Sequence, residues 1–255
     1  MMHHTYLEHT QSVLHTRLKG SGSHQPGNIV REHIPFITLS RETAAGATTI
    51  GQQLVTLLNQ KIENDSQHWV LLDKDLLTQA LLHHQLPAQL AKYLPEDRIS
   101  ETKAVIGELV GLHPSLWQLE HKIAEAILQL AHVGQVIFAG RAAHLITRAL
   151  PGGLHVRHVA SLQTRVNRLA AALKVSPDEA ARQIEAQDLA KRRFVRSHFD
   201  SDLEDPHQYD LVLNTDHLSP AASARIIVSA LHEYAKSRSP ATMPATAAAS
   251  RVHAT

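Results

Sequence analysis

The chain has 255 residues, enough for one large domain with its own core or two small ones, and its formal charge of +1 gives no overall electrostatic case for nucleic acid or membrane. Cysteine is absent, which excludes disulfides, zinc–thiolate sites and thiol nucleophiles. No run is apolar enough to span a bilayer and the N-terminus carries no apolar signal-peptide core, so a soluble cytoplasmic protein is the expectation. Twenty histidines invite a metal reading, but pairs such as His83 and His84, or His155 and His158, lack a helical i, i+4 partner joined to a third ligand.

In chain order, residues 1–33 are polar, His-rich and broken by Gly20, Gly22, Pro26 and Gly27. They read as a mobile arm with a short helix around Tyr6 to Leu18. The folded unit is expected over 34–236. Five short apolar runs then read as buried strands: Phe36–Leu39, Trp69–Leu72, Val136–Ala139, His155–Ala160 and Leu211–Asn214. Helical patterns separate them. Ile50, Leu54, Leu57, Leu58 and Ile62 share one face after the first strand, and Leu116, Leu119, Ile123, Ile127 and Leu130 share one before the third. Asp73 is placed to cap a helix over 74–84. Ser176 followed by Pro177 and Glu179 has a capping serine, proline at the first helical position and glutamate three residues after the cap; Ser219 and Pro220 mark another start. From residue 237 the composition of Ser, Pro, Ala and Thr reads as a disordered tail. Strands alternating with helices, without internal polar alternation, predict an α/β fold with a five-stranded parallel sheet covered on both faces. Such sheets bind ligands at the carboxyl ends of their strands.

At one of those ends lies Arg41-Glu42-Thr43-Ala44-Ala45-Gly46-Ala47-Thr48-Thr49, between strand and helix. Backbone N–H groups and the positive end of a helix dipole would converge there on an anion such as phosphate. Gly46 and Thr48 fit the second half of the phosphate-loop pattern, while Arg41 replaces its first glycine and Ala47 its lysine. The plain alternative is a helix start capped by Thr48 or Thr49. Gly140 and Arg141 follow the third strand, where an arginine either grips a phosphate bidentately or serves a neighbouring carboxylate. Asp73 has two readings, ligand contact or N-cap. Asp188, Arg192 and Arg196 recur every four residues, with Arg193 beside them, and suggest a cationic face for an anion partner. Arg165 and Arg168 are read either as phosphate contacts or as solubilising charges.

With these pieces in order, the chain resembles the cytidylate kinase-like family of P-loop nucleoside monophosphate kinases. The resemblance is carried by Ile37 to Arg41 with Gly46, by Leu72 to Asp75, and by Val136 to Ala143. It continues through His155 and Val156 into Leu162–Leu169, Ile184 to Arg196, and Tyr209 to Thr215 with Leu218 and Ser219. It implies a three-layer P-loop nucleotide kinase fold with a helical, arginine-rich lid. It also implies ATP and Mg²⁺, and phosphoryl transfer to a nucleoside monophosphate with CMP as the leading candidate. Carried over by position, Arg41, Glu42, Gly46, Ala47, Thr48 and Thr49 hold the donor phosphates, and Thr48 stands at the Mg²⁺ side. Asp73, Gly140, Arg141, Arg165 and Asp188 meet the acceptor. Arg141, Arg192 and Arg196 neutralise charge during transfer.

The family's proper cytidylate kinases carry the loop lysine, and an aspartate after the Gly-Arg pair where this chain has Ala142. A second reading is therefore a non-catalytic nucleotide or anion sensor with a degenerate loop. Nucleic acid ranks last as a partner, because the basic helix 182–198 offers only Phe194, joined by Phe199, for base stacking. The expected partners are nucleotides, with no membrane; oligomeric state is not readable from these residues.

Overall fold

A computed structural model describes residues 35–60, 62–64, 67–73, 76–77 and 114–237, together with Val13. Of the predicted N-terminal arm only Val13, buried in the core, is described, and of the predicted C-terminal tail only Ser237, which ends the last helix; the rest of both, and most of the helix expected at 74–84, lie outside the described residues. Five strands form one parallel sheet: β1 Phe36–Arg41, β2 Val70–Leu72, β3 Val136–Ala139, β4 Gly153–Val159 and β5 Leu211–Asn214. Their order across the sheet is β2-β3-β1-β4-β5, so β1 is central. Ile37 stands opposite Ile137 on one side and Leu154 on the other. β1 runs two residues beyond the apolar stretch, because Ser40 and Arg41 continue the ladder opposite Arg157 and His158. Arg41 is therefore a strand residue, and the loop begins after it.

Among the described residues six helices connect and cover the strands: α1 Ala47–Asn59, α2 Pro114–Val133, α3 Ala143–Ile146, α4 Leu162–Leu173, α5 Pro177–Phe199 and α6 Pro220–Ser237. Alternation along each strand sends its residues to two separate cores. Ile37, Leu39, Ile137, Leu154 and Val156 meet Ile50 and Leu54 of α1 and Ala224, Ile227 and Leu231 of α6. Phe36, Val70, Val136 and Phe138 meet Ile123, Ile127 and Leu130 of α2 and Ile146 of α3. These are the three layers expected from strands that are apolar on both faces.

The remaining two helices form a hairpin above the carboxyl end of the sheet. Ser161 caps α4 by accepting from the Thr164 amide, and Ser176 caps α5 by accepting from the Glu179 amide, with proline at the start as the sequence predicted. Val166 of α4 packs on Ala180 and Ile184 of α5. Further along, Val195 of α5 packs on Ala142, which follows β3. The hairpin is thus held to the sheet at the strand ends.

Candidate functional site

The turn from β1 into α1 leaves an open helix start. Ala44 and Gly46 both adopt left-handed backbone, with φ of 64° and 90°. Glycine takes that conformation without strain, and at Ala44 it carries a steric cost. Gly46 is the N-cap and supplies no side chain, and the first helical bond runs from the Ile50 amide to the Gly46 carbonyl at 3.0 Å. The first-turn amides of Ala47, Thr48 and Thr49 therefore lack intrahelical acceptors. Beside them lies a cavity of about 530 Å³, bordered also by Arg41, Arg168, Lys191 and Thr215. Free amides, the positive helix end and three cations converge on one space, which suits an anion.

A network of charged hydrogen bonds ties this loop to the helical hairpin. Asp188 of α5 accepts from the Thr43 amide at 2.9 Å and the Thr43 hydroxyl at 2.7 Å, and pairs with Arg165 of α4 at 2.6 Å. Burial pushes the Asp188 carboxyl up, but the Thr43 bonds and the two cations more than offset this and hold it below its ordinary value. Lys191, one turn on, donates to the Thr43 hydroxyl at 2.6 Å and stands 3.2 Å from Asp188. Burial lowers the Lys191 ammonium pKa while Asp188 opposes the shift. Glu42 completes the network by accepting from the Ala160 amide at 3.0 Å. On the far side, Arg168 donates to the Thr215 hydroxyl at 3.0 Å and its carbonyl at 2.6 Å, and Thr215 donates to the Ala45 carbonyl at 3.0 Å. Both ends of the loop are therefore pinned by side chains from elsewhere in the chain.

The other wall is built at the ends of β1, β3 and β4. Arg41 lays its guanidinium on Gly140, at the end of β3. Burial lowers its pKa and the Asp73 carboxylate opposes that shift. His158, opposite Arg41 in β4, is buried, with Nδ1 3.3 Å from the Ser40 carbonyl; burial first, and then the Arg41 charge, depress its pKa to about 4. It stays neutral beside the cation. Gly140, Arg141 and Ala142 are three successive left-handed residues, with φ of 90°, 55° and 51°. The two non-glycine positions store local strain at the strand end, a place where such strain commonly accompanies a binding site.

A model of the cytidylate kinase-like family matches residues 36–217. The chain belongs to that family. Among curated proteins it is similar to a cytidylate kinase of Pyrobaculum aerophilum, 24% identical over 192 residues, which cover 74% of this chain and 89% of that one. Among solved structures it is similar to an uncharacterized protein from Eubacterium ventriosum at a TM-score of 0.52 and 14% identity, over 78% of this chain and 98% of the other. That likeness bears on the fold alone.

In this cytidylate kinase-like chain the residues predicted for the site fall in several places. Arg41, Gly46, Ala47, Thr48 and Thr49 border the cavity. Glu42, Arg165 and Asp188 stand together one layer behind, paired with one another and with Thr43, so they brace the loop. Asp73 accepts from the Leu76 amide at 2.9 Å, the capping role the sequence offered as an alternative. The structure does not bring Arg192 and Arg196 to the cavity. Arg192 pairs with Glu204 at 3.0 Å and Arg196 lies 3.6 Å from Asp200, with the two arginine side chains 46% and 70% exposed. The reason is helical phase. Ile184, Asp188, Lys191 and Val195 form the inward stripe of α5, which turns 192 and 196 toward solvent. Ala47 also differs from a phosphate-facing lysine position: at 3% exposed, it packs in the core beneath α1 with Ile50 and Leu54.

Lys191 and Thr43, which the structure brings together at the loop, were not singled out by sequence reasoning. The signal was present for Lys191, since an i, i+4, i+7, i+11 stripe of Ile184, Asp188, Lys191 and Val195 marks the docked face of that helix. Thr43 carried no signal of its own.

Among the described residues no group of three or more His, Asp or Glu is placed to hold a metal ion. Mg²⁺ in phosphate sites is held mainly by substrate oxygens and water with one or two protein oxygens. Thr48 borders the cavity, and a threonine hydroxyl is a protein oxygen of the kind that requirement names. No helix among the described residues is long and apolar enough to cross a membrane.

Proposed function

We propose that this chain transfers a phosphoryl group from ATP to a nucleoside monophosphate, with CMP the leading acceptor because the Pyrobaculum relative is named for that substrate. The observation that carries the reading is the uncapped start of α1, opening on a cavity flanked by Lys191, Arg168 and Arg41. The amides of residues 46–49 take the donor phosphates. Thr48 offers a ligand to Mg²⁺, which when bound supplies charge neutralisation to those phosphates. Lys191 provides the ammonium missing at position 47, delivered from α5 and held at the loop by Thr43 and Asp188. An acceptor phosphate oxygen bonds to the γ-phosphorus as its bond to the β-phosphate oxygen breaks. That oxygen keeps the electron pair. One triphosphate and one dianionic monophosphate become two diphosphates, with total charge unchanged and no proton transferred. We assign the kinase-like domain to residues 34–236.

The alanine in the lysine position favours a second reading, a nucleotide sensor without turnover. One panel separates the two. Melting curves with ATP, GTP, CMP, UMP and AMP, with and without Mg²⁺, report binding, and a coupled assay with ATP and each monophosphate reports transfer. Binding with turnover supports the kinase, binding without turnover the sensor. No shift with any nucleotide at millimolar concentration refutes both.

A further inference from the structure

We propose that Arg41 is a catalytic residue of the transfer, its guanidinium gripping the phosphoryl group in flight from the sheet side of the cavity. The proposal rests on the kinase reading above and deepens it by naming the cation at the point of transfer.

The placement comes from the sheet. Arg41 closes the central strand, so its side chain emerges where the two halves of the sheet diverge, the place open α/β sheets bind their ligands. From there it crosses to β3 and lies flat on Gly140. A Cβ built on Gly140 would stand 1.8 Å from Arg41 Nη1, 3.0 Å from Cζ and 3.3 Å from Nη2. Any other residue at 140 would take the space the guanidinium fills. Gly140 thus has two reasons to be glycine, its φ of 90° and this seat.

The chemistry follows from what the seat leaves undone. A guanidinium carries five donors and stays charged, and covering them without partners is costly. Among the described residues the Arg41 side chain makes no hydrogen bond or salt bridge; the Asp73 carboxylate acts on it electrostatically. On its other neighbours it meets a neutral His158 and the like charge of Lys191. This half-buried cation, beside a helix N-terminus and a second cation, has donors left for an anion in the cavity it borders. The planar fork matches two of the three equatorial oxygens of a transferring phosphoryl group. Lys191 then serves the donor from the hairpin and Arg41 the moving group from the sheet. This division also accounts for an arginine at the end of β1, where the phosphate-loop pattern has its first glycine.

The test uses the full chain with Arg41→Lys, Arg41→Ala and Gly140→Ala. Two quantities are read: turnover with Mg²⁺–ATP and CMP, and the gain in melting temperature when aluminium fluoride joins ADP, Mg²⁺ and CMP as a mimic of the group in transfer. Arg41→Lys keeps the charge and loses the fork. It should lower kcat by roughly 10²- to 10³-fold, the loss typical of one transition-state donor, while Mg²⁺–ATP affinity changes less than about threefold. It should also abolish the aluminium fluoride increment. Gly140→Ala should reproduce this with Arg41 intact, by unseating it. If Arg41→Ala does not fold, Arg41→Lys decides. Turnover within about threefold of wild type in Arg41→Lys and Gly140→Ala, or an undiminished increment, overturns the proposal alone. A wild type that binds nucleotide but gives neither turnover nor an increment overturns it together with the kinase reading, and one that binds no nucleotide overturns all three.

Discussion

Ala47→Lys restores the residue that a phosphate loop ordinarily has, and here it should do harm. Ala47 is the first residue of α1, 3% exposed and packed with Ile50 and Leu54 against the sheet. A lysine there must force its stem into that core or bend out into the cavity. Overpacking costs about 1–3 kcal/mol, and ordering the long side chain adds about 1–2 kcal/mol. Its ammonium would also join Arg41 and Lys191 at the same cavity, adding repulsion on the order of 1 kcal/mol in the apo protein. The sum, about 3–6 kcal/mol, corresponds to a fall in melting temperature of roughly 6–24 °C for a domain of this size. Melting curves with and without Mg²⁺–ATP measure it. The variant should melt lower and bind ATP no more tightly than wild type. A variant that melts like wild type and binds ATP more tightly would show that position 47 faces the phosphates, and would remove the case for Lys191 as the substitute.

Asp188→Asn should destabilise the chain by about 3 kcal/mol, because it removes the carboxylate shared by Arg165 and Lys191 in a mostly covered site and leaves Arg165 only the longer pair with Glu42; urea unfolding measures the loss, and a change below about 0.5 kcal/mol would refute the bracing role. Arg192→Ala with Arg196→Ala should leave stability within about 0.5 kcal/mol and turnover unchanged, since both pairs are exposed; a clear loss of turnover would return these arginines to the site. Burial lowers the pKa of His158 from 6.5 to about 4 and that of His144 to about 3. The unfolded chain therefore protonates first, and stability is full above pH 6.5 and falls as the pH drops toward 4, by on the order of 2 kcal/mol per histidine at pH 5. Urea midpoints at pH 7 and pH 5 test this, and His158→Gln should flatten the slope; equal midpoints in wild type would contradict it.

The fold was legible because its strands are short apolar runs with no competing helical period, and its helix starts are written in single residues. Ser176 with Pro177 marked the start of α5, and Asp73 marked a cap that the Leu76 amide fills. The open start of α1 was legible for the same reason: Gly46 between a strand and a hydroxyl-rich helix start is a local pattern. What the sequence withheld depends on the phase of one element against another. Spacing by four made Asp188, Arg192 and Arg196 look like one face, but Val195 seated on Ala142 rotates α5 so that Lys191 takes the inward place. Arg41 on Gly140 is likewise a contact between residues 99 positions apart, and nothing at either position announces the other.

The central claim is that nucleotide phosphates bind the open start of α1 with Lys191 as the cation. Amide hydrogen exchange over residues 44–50, with and without saturating Mg²⁺–ATP, measures it most directly, in wild type and in Lys191→Met. The account predicts strong slowing at residues 46–49 in wild type and a much smaller effect in Lys191→Met at the same nucleotide concentration. Exchange that is unchanged by nucleotide in wild type, or slowed equally in both proteins, would contradict it.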